Sequence, residues 1–321
     1  MPELFIYNDG QWFSPVVQDG VTWETERFGS PGKLTFSVIN TNYGGGEVIN
    51  IQEGDTVKLK VDGRDVFYGF IFTKKRDKDQ IISITAYDQL RYLKNKDVKK
   101  YDNLTTAGLI REIAEDYFLE CGELEDSGTA LSHIHDGDTL FDMILYSMQE
   151  TARITGGGCV FYDDFGKLTL KSLEHMTLDC LIAENTAENF DYQSSIDSET
   201  YNYIRLVYEN NDTGKWDLYE TKDSENIQRW GRLQYFEKVN KEDNKIAKAE
   251  AMLKMYDSKR RTLSVSGAFG DIRVRGGSLV PVILTLGDVD AKSYLLVDKV
   301  KHTFKDGRHT MDLTLRGNVF V

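Results

Sequence analysis

The chain reads as mainly β with an α+β insertion, its two ends forming similar β-barrel units related by an internal pseudo-repeat. Three observations predict this. Residues 53–88 form three β-rich runs joined by tight polar turns, with Val57, Leu59 and Val61 alternating against Lys58 and Lys60. The middle of the chain switches to helical spacing. The last sixty or so residues then replay the first hundred in outline.

In order, Leu4-Phe5-Ile6 is a short strand closed by the turn Asn8-Asp9-Gly10, and Trp12, Val16-Val17 and Val21-Thr22-Trp23 give further short β pieces. Leu34, Phe36 and Val38 occupy the buried face of the next strand. Residues 42–46 form a glycine-rich loop before the meander, and residues 88–96 a short helical exit from it. Leu109, Ile110, Ile113, Ala114, Tyr117 and Phe118 then mark a helix capped by Thr105 or Thr106. A second helix starts at Thr139 with Asp138 as its cap and ends at Gly156-Gly157-Gly158. Two strands around the turn Asp163-Asp164-Phe165-Gly166 complete the insertion.

From Phe190 the β pattern returns, with a hairpin around residues 210–214 and a third helix over 241–258. That helix carries Ile246, Ala249, Met252, Leu253 and Tyr256 on one face. The organisation expected is a first β unit at 1–96, the insertion at 97–185 and a second β unit at 186–321 with the helix near 241–258.

The echo between the ends can be followed residue by residue. Leu34 to Val38 corresponds to Leu263-Ser264-Val265-Ser266, and Glu53-Gly54-Asp55-Thr56-Val57 to Gly276-Gly277-Ser278-Leu279-Val280. The run beginning at Val66 corresponds to that beginning at Tyr294, and Lys78-Asp79-Gln80 to Lys305-Asp306-Gly307. Strand, glycine turn, strand, long strand, aspartate turn and strand recur in the same order.

The 321 residues carry 52 acidic against 39 basic side chains, a formal net charge of −13, which argues against specific recognition of a phosphate backbone. Cys121, Cys159 and Cys180 lack zinc or redox spacing and read as buried free thiols. The N-terminus has no basic region ahead of an apolar core, so a signal peptide is not expected, and no apolar run reaches the length of a stable membrane span.

The metal-ligand candidates are His133 and His135, within His133-Ile134-His135-Asp136-Gly137-Asp138; on a strand they would share a face. No third ligand is identifiable, and Asp-Gly-Asp is accounted for by a turn and a helix cap, so no metal, catalytic residue or cofactor is assigned. Gly156-Gly157-Gly158-Cys159 follows a helix and lacks the Lys-Ser/Thr ending of a phosphate loop. Glu112, Glu115 and Asp116 read as the wet side of a helix; Lys74-Lys75-Arg76 and Lys259-Arg260-Arg261 read as solvated basic turns.

Glu53-Gly54-Asp55-Thr56-Val57, Phe67-Tyr68-Gly69-Phe70-Ile71 and Ile84-Thr85-Ala86-Tyr87-Asp88-Gln89-Leu90 resemble the XkdQ/YqbQ-type baseplate hub proteins of contractile phage tails and phage-like bacteriocins. So do Gly276-Gly277-Ser278, Leu295 to His302 and Met311-Asp312-Leu313. The resemblance implies two tail-tube-like barrels per chain and no enzymatic activity. It also implies a homotrimer that adapts a six-fold tube to a three-fold spike and lines the axial channel. The partners implied are the tail tube protein, the spike and central baseplate proteins, and a tape measure protein. The chain would be made in the bacterial cytoplasm and leave the cell in a phage or bacteriocin particle. The rival expectations are a peptidoglycan-acting tail hydrolase, drawn from His133, His135 and the acidic residues, and a glycan-binding or adhesive β protein, drawn from the Tyr and Trp content.

Overall fold

In the computed structural model, residues 1–39, 50–210, 214–239, 244–285 and 290–317 are described. The glycine-rich loop expected at 42–46, the tip of the 210–214 hairpin and the start of the 241–258 helix lie outside them. Strand outweighs helix by 54% to 19%, so the mainly-β class holds.

The chain forms two compact units, one of residues 1–191 and 264–316 and the other containing residues 192–263. The first opens with β1 (Pro2–Asn8), β2 (Gln11–Phe13), β3 (Val17–Glu26) and β4 (Lys33–Ile39), and the meander is β5 (Thr56–Val61), β6 (Arg64–Arg76) and β7 (Ile81–Tyr87). Period-2 alternation decides what these strands bury: Leu4, Ile6, Leu34, Phe36, Val38, Val57, Leu59, Ile82 and Ile84 form one core.

A 3-10 turn at Gln89–Lys94, capped by Asp88, leads into the insertion. There β8 (Lys96–Thr105) and α1 (Thr106–Asp116) precede β9 (Cys121–Leu124), β10 (Ala130–Thr139), α2 (Leu140–Thr155), β11 (Cys159–Asp163) and β12 (Leu168–Ser172). The apolar stripes of α1 and α2 share a core with Phe161, Leu168 and Leu170. Thr105 caps α1, and Gly156, at φ 75°, ends α2 as expected. The cap of α2 differs from expectation: Thr139, not Asp138, receives the Asp142 N–H, because Asp138 is turned to His135.

Next come β13 (Ile182–Ala183) and β14 (Asn189–Ser195). The second unit contains β15 (Tyr203–Asn210), β16 (Lys215–Lys222), α3 (Ser224–Trp230), β17 (Gln234–Lys238) and α4 (Lys245–Tyr256). Strands β15 and β16 form the expected hairpin and β17 joins β15 in parallel. Ala249, Met252 and Leu253 of α4 pack on Ile204 and Leu206, whereas Ile246, expected on that face, is 63% exposed.

The chain closes with β18 (Arg260–Phe269), β19 (Leu279–Thr285), β20 (Asp290–Lys305) and β21 (Arg308–Arg316). The echo is borne out in the strand pairing. One half of the sheet runs β3-β4-β7-β6-β5 and the other β14-β18-β21-β20-β19. Equivalent strands occupy equivalent places. Even the irregularities agree: the β6–β7 register slips between Ile71 and Thr73, and the β20–β21 register between Val297 and Lys299. The halves join in one sheet because β20 also pairs with β3, from Lys299–Glu26 to Phe304–Val21.

Candidate functional site

The polar centre of the larger unit is a junction where both halves of the sheet and the insertion meet. At the end of β7, the buried Asp88 carboxylate accepts from Gly32 N–H at 2.8 Å and Leu90 N–H at 3.1 Å. The next residue, Gln89, reads the insertion's backbone: its Nε2 donates to the Glu120 carbonyl and its Oε1 accepts from the Glu120 N–H, both at 3.2 Å. At the end of β11, Asp163 accepts from Gly166 N–H at 2.7 Å.

From the other half, Arg275 donates to the Asp163 carbonyl at 2.7 Å and lies over the Tyr162 ring at 3.9 Å. Gly276 N–H donates to Thr25 Oγ1 on β3 at 2.9 Å, and Gly277 N–H to the Val297 carbonyl at 2.7 Å. A methyl group on Gly276 would sit 2.3 Å from the Glu26 backbone, and one on Gly277, at φ 96°, 2.3 Å from Val160. The glycine pair read from the sequence as a turn is therefore also a close backbone crossing.

Burial, then the neighbouring Asp163 charge, pushes the Asp88 carboxyl well above the usual carboxylate range, and burial first of all pushes Asp163 up to about 6. Each side chain is only 5% exposed, so the pair holds the junction rather than facing a substrate-sized cleft.

A second buried polar group lies on the β3–β20 seam. His302 donates from Nε2 to the Val274 carbonyl at 2.8 Å and accepts at Nδ1 from His309 Nε2 at 2.9 Å. It stacks on Trp23 at 4.7 Å. Burial, with the neighbouring His309, holds its pKa down at about 3, so it is a neutral core histidine.

His133 and His135 do share a face of β10, their rings 4.5 Å apart. His135 Nδ1 lies 2.8 Å from Asp138 Oδ2, and His133 stacks on Tyr146 at 4.1 Å. Among the described residues no third His, Cys, Asp or Glu completes a metal-holding group. Glu112 and Asp116 share the Lys99 ammonium on the outside of α1. The cysteines are free, as expected, but they are not all buried: Cys121 is exposed on short strand β9, while burial pushes Cys159 up to about 11. Among the described residues no helix is long and apolar enough to cross a membrane.

The YqbQ-like family model matches residues 21–316, nearly the whole chain. The chain belongs to the YqbQ-like family. Among its YqbQ-like relatives is the Bacillus subtilis (strain 168) phage-like element PBSX protein XkdQ, 28% identical over 98% of this chain and 96% of its own length. The fold is shared with the 43 kDa tail protein of prophage MuSo2 from Shewanella oneidensis, at TM-score 0.72, 13% identity and 98% coverage of both chains. It is shared too with the E. coli c3393 protein, described as a type VI secretion component resembling T4 tail proteins gp27 and gp5. There the TM-score is 0.58 and the identity 11%, over 98% of this chain and 76% of that one. At these identities the two solved structures share a fold with this chain over nearly its whole length.

Proposed function

We propose that the chain is the structural hub of a contractile-tail baseplate, a homotrimeric adaptor between a six-fold tail tube and a three-fold spike that lines the axial channel. The observation that carries this is the doubled strand order, β3-β4-β7-β6-β5 and β14-β18-β21-β20-β19, in one polypeptide. Three copies then offer six similar β units to the tube above and three equivalent chains to the spike below. In this reading residues 1–96 and 186–321 act as the two tail-tube-like barrel units and 97–185 as the inserted domain. The partners are tube, spike, central baseplate and tape measure proteins.

The role is mechanical, without a reaction. The net charge of −13 suits a channel wall to which nucleic acid does not stick. The test is cryo-EM of the parent particle, a phage or bacteriocin released from its bacterial host. A three-fold ring on the axis between tube and spike is expected; density for this chain in the sheath or fibres would overturn the proposal.

A further inference from the structure

The outward face of the β5–β7 meander is not built for water alone. On β6, Phe67 and Ile71 point into the core, and the alternate positions, polar in an ordinary half-buried strand, are Tyr68, Phe70 and Phe72. These rings are only half-buried. Tyr68 meets Phe70 at 5.9 Å and 84°, Phe70 meets Tyr92 at 6.0 Å and 61°, and Tyr68 meets Phe165 at 5.7 Å and 63°. Edge-to-face packing holds the rings without stacking their faces together. The β11–β12 turn braces the platform: a methyl group on Gly166 would sit 2.8 Å from the Tyr68 ring.

This platform lines an open cleft of about 530 Å³, together with Lys58, Gln89 and the loop Tyr117–Glu120 between α1 and β9. The Gln89 amide ties that loop to the sheet through the Glu120 backbone. The loop brings two more rings, Tyr117 and Phe118. Phe118 sits at φ 55° with 96% of its surface exposed. A bulky residue held in the left-handed region, with its ring almost wholly in water, carries strain that the isolated chain does not use.

The lining restricts what fits. The volume is that of a small-ligand or short-oligomer site. Six of the lining side chains are aromatic and only Leu119 is aliphatic, so the cleft offers flat ring faces rather than the holes that receive an apolar helix. Its charges cancel. The Lys58 ammonium lies over the Trp12 ring at 4.1 Å and the Tyr68 ring at 5.5 Å, and it meets no carboxylate among the described residues. The exposed Glu120 carboxylate likewise meets no cation among them. One unpaired charge of each sign suits neither a polyanion nor a polycation.

We propose that this cleft binds a neutral sugar chain, a chitin-type oligomer of β-linked N-acetylhexosamines. Such a chain is a flat ribbon. Its C–H faces lie against aromatic rings, here supplied by two separate elements, while its hydroxyls stay at the edges. Each acetamido group supplies an acceptor carbonyl for Lys58 and a donor N–H for Glu120. The braced platform lowers the cost of ordering the site, and Phe118 gains a surface to pack on. Sugar binding here is independent of the hub role.

The test is isothermal titration of the full chain with N-acetylchitopentaose, cellopentaose and maltopentaose. N-acetylchitopentaose is expected to bind. Cellopentaose, which keeps the ribbon and lacks the acetamido groups, should bind more weakly, and maltopentaose, whose α-links curl the chain, should not bind. Tyr68→Ala and Phe118→Gly should each weaken binding about tenfold. Phe118→Gly relieves strain in the unliganded chain, so a raised Tm separates its loss of binding from misfolding. Lys58→Met should bring N-acetylchitopentaose down to the level of cellopentaose.

No heat with N-acetylchitopentaose at millimolar concentration, equal binding of maltopentaose, or binding that Phe118→Gly leaves unchanged overturns the proposal. So does binding of the apolar dye anilinonaphthalene sulfonate that Phe118→Gly abolishes and the sugar does not displace; that result marks an apolar docking surface instead. None of these titrations reads ring assembly, so their failure leaves the hub reading standing.

Discussion

At Asp163 and His302 burial pushes in opposite directions, and so stability should respond to pH in opposite directions at the two sites. Asp163 titrates near 6 in the folded chain against a carboxyl value near 3.8 when unfolded. Between those values the folded state holds the extra proton, so this site's contribution falls as pH rises through 4 to 6. His302 titrates near 3 when folded against about 6.5 unfolded, so its contribution is complete above 6.5 and is lost as pH falls. Asp163→Asn should therefore steepen the loss of stability on acidification from pH 6 to 4, by an amount on the order of 2–3 kcal/mol. His302→Gln should flatten that loss. Urea titrations at pH 4, 5, 6 and 7 on the three proteins check both signs.

Two further residues carry expectations of their own. Gly276→Ala forces a methyl group into the Glu26 backbone and should cost about 3 kcal/mol or prevent folding, read by thermal melting. Phe118 follows α1 at φ 55° with 96% of its surface exposed, a conformation that favours glycine. Phe118→Gly should stabilise the isolated chain by about 0.5–1 kcal/mol, read as a raised Tm.

At the scale of elements, what was legible in the sequence was local. Strands β4 to β7 and β18 to β21 announce themselves because each buries one face and alternates with period two. The helices α1, α2 and α4 show their stripes for the analogous reason. In the insertion β11 and β12 were legible on either side of their turn, but the earlier strands β8 to β10 were hidden. Strand β8 reads Lys-Asp-Val-Lys-Lys-Tyr-Asp-Asn-Leu-Thr, buries only Tyr101, and offers no alternation to detect. Strand β10 exposes Ile134 and buries His135, the reverse of what hydropathy suggests.

The junction was half legible. Asp88-Gln89 and Gly276-Gly277 stand in the segments that carry the family resemblance, but their convergence depends on contacts such as Arg275 with Asp163, 112 positions apart, and Gly276 with Thr25, 251 apart. No periodicity encodes such a meeting. The ends of the helices were likewise decided by side-chain competition: Asp138 could cap α2, yet His135 holds it, and Thr139 takes the role.

For the whole molecule, the two halves of the larger unit are not separable. Phe304 of β20 belongs to the core whose other buried members all lie between Leu4 and Ala86, and β3 is paired on one side only through β20. A fragment of residues 1–96 should therefore self-associate or stay unfolded where the full chain is soluble, as judged by gel filtration and circular dichroism. The same dependence explains why a repeat readable in the sequence gave no sign that its copies would share one sheet: the strands repeat, but the seam between them is made of unlike partners.

Lys299 reaches Glu26 across 273 positions of sequence. At roughly 5–20 residues added per second, a ribosome needs roughly 15–55 s after β3 emerges before β20 exists to receive it. Throughout that interval the newborn first half of the sheet carries a bare, aggregation-prone ribbon, and its assembly cannot finish until β20 has been made.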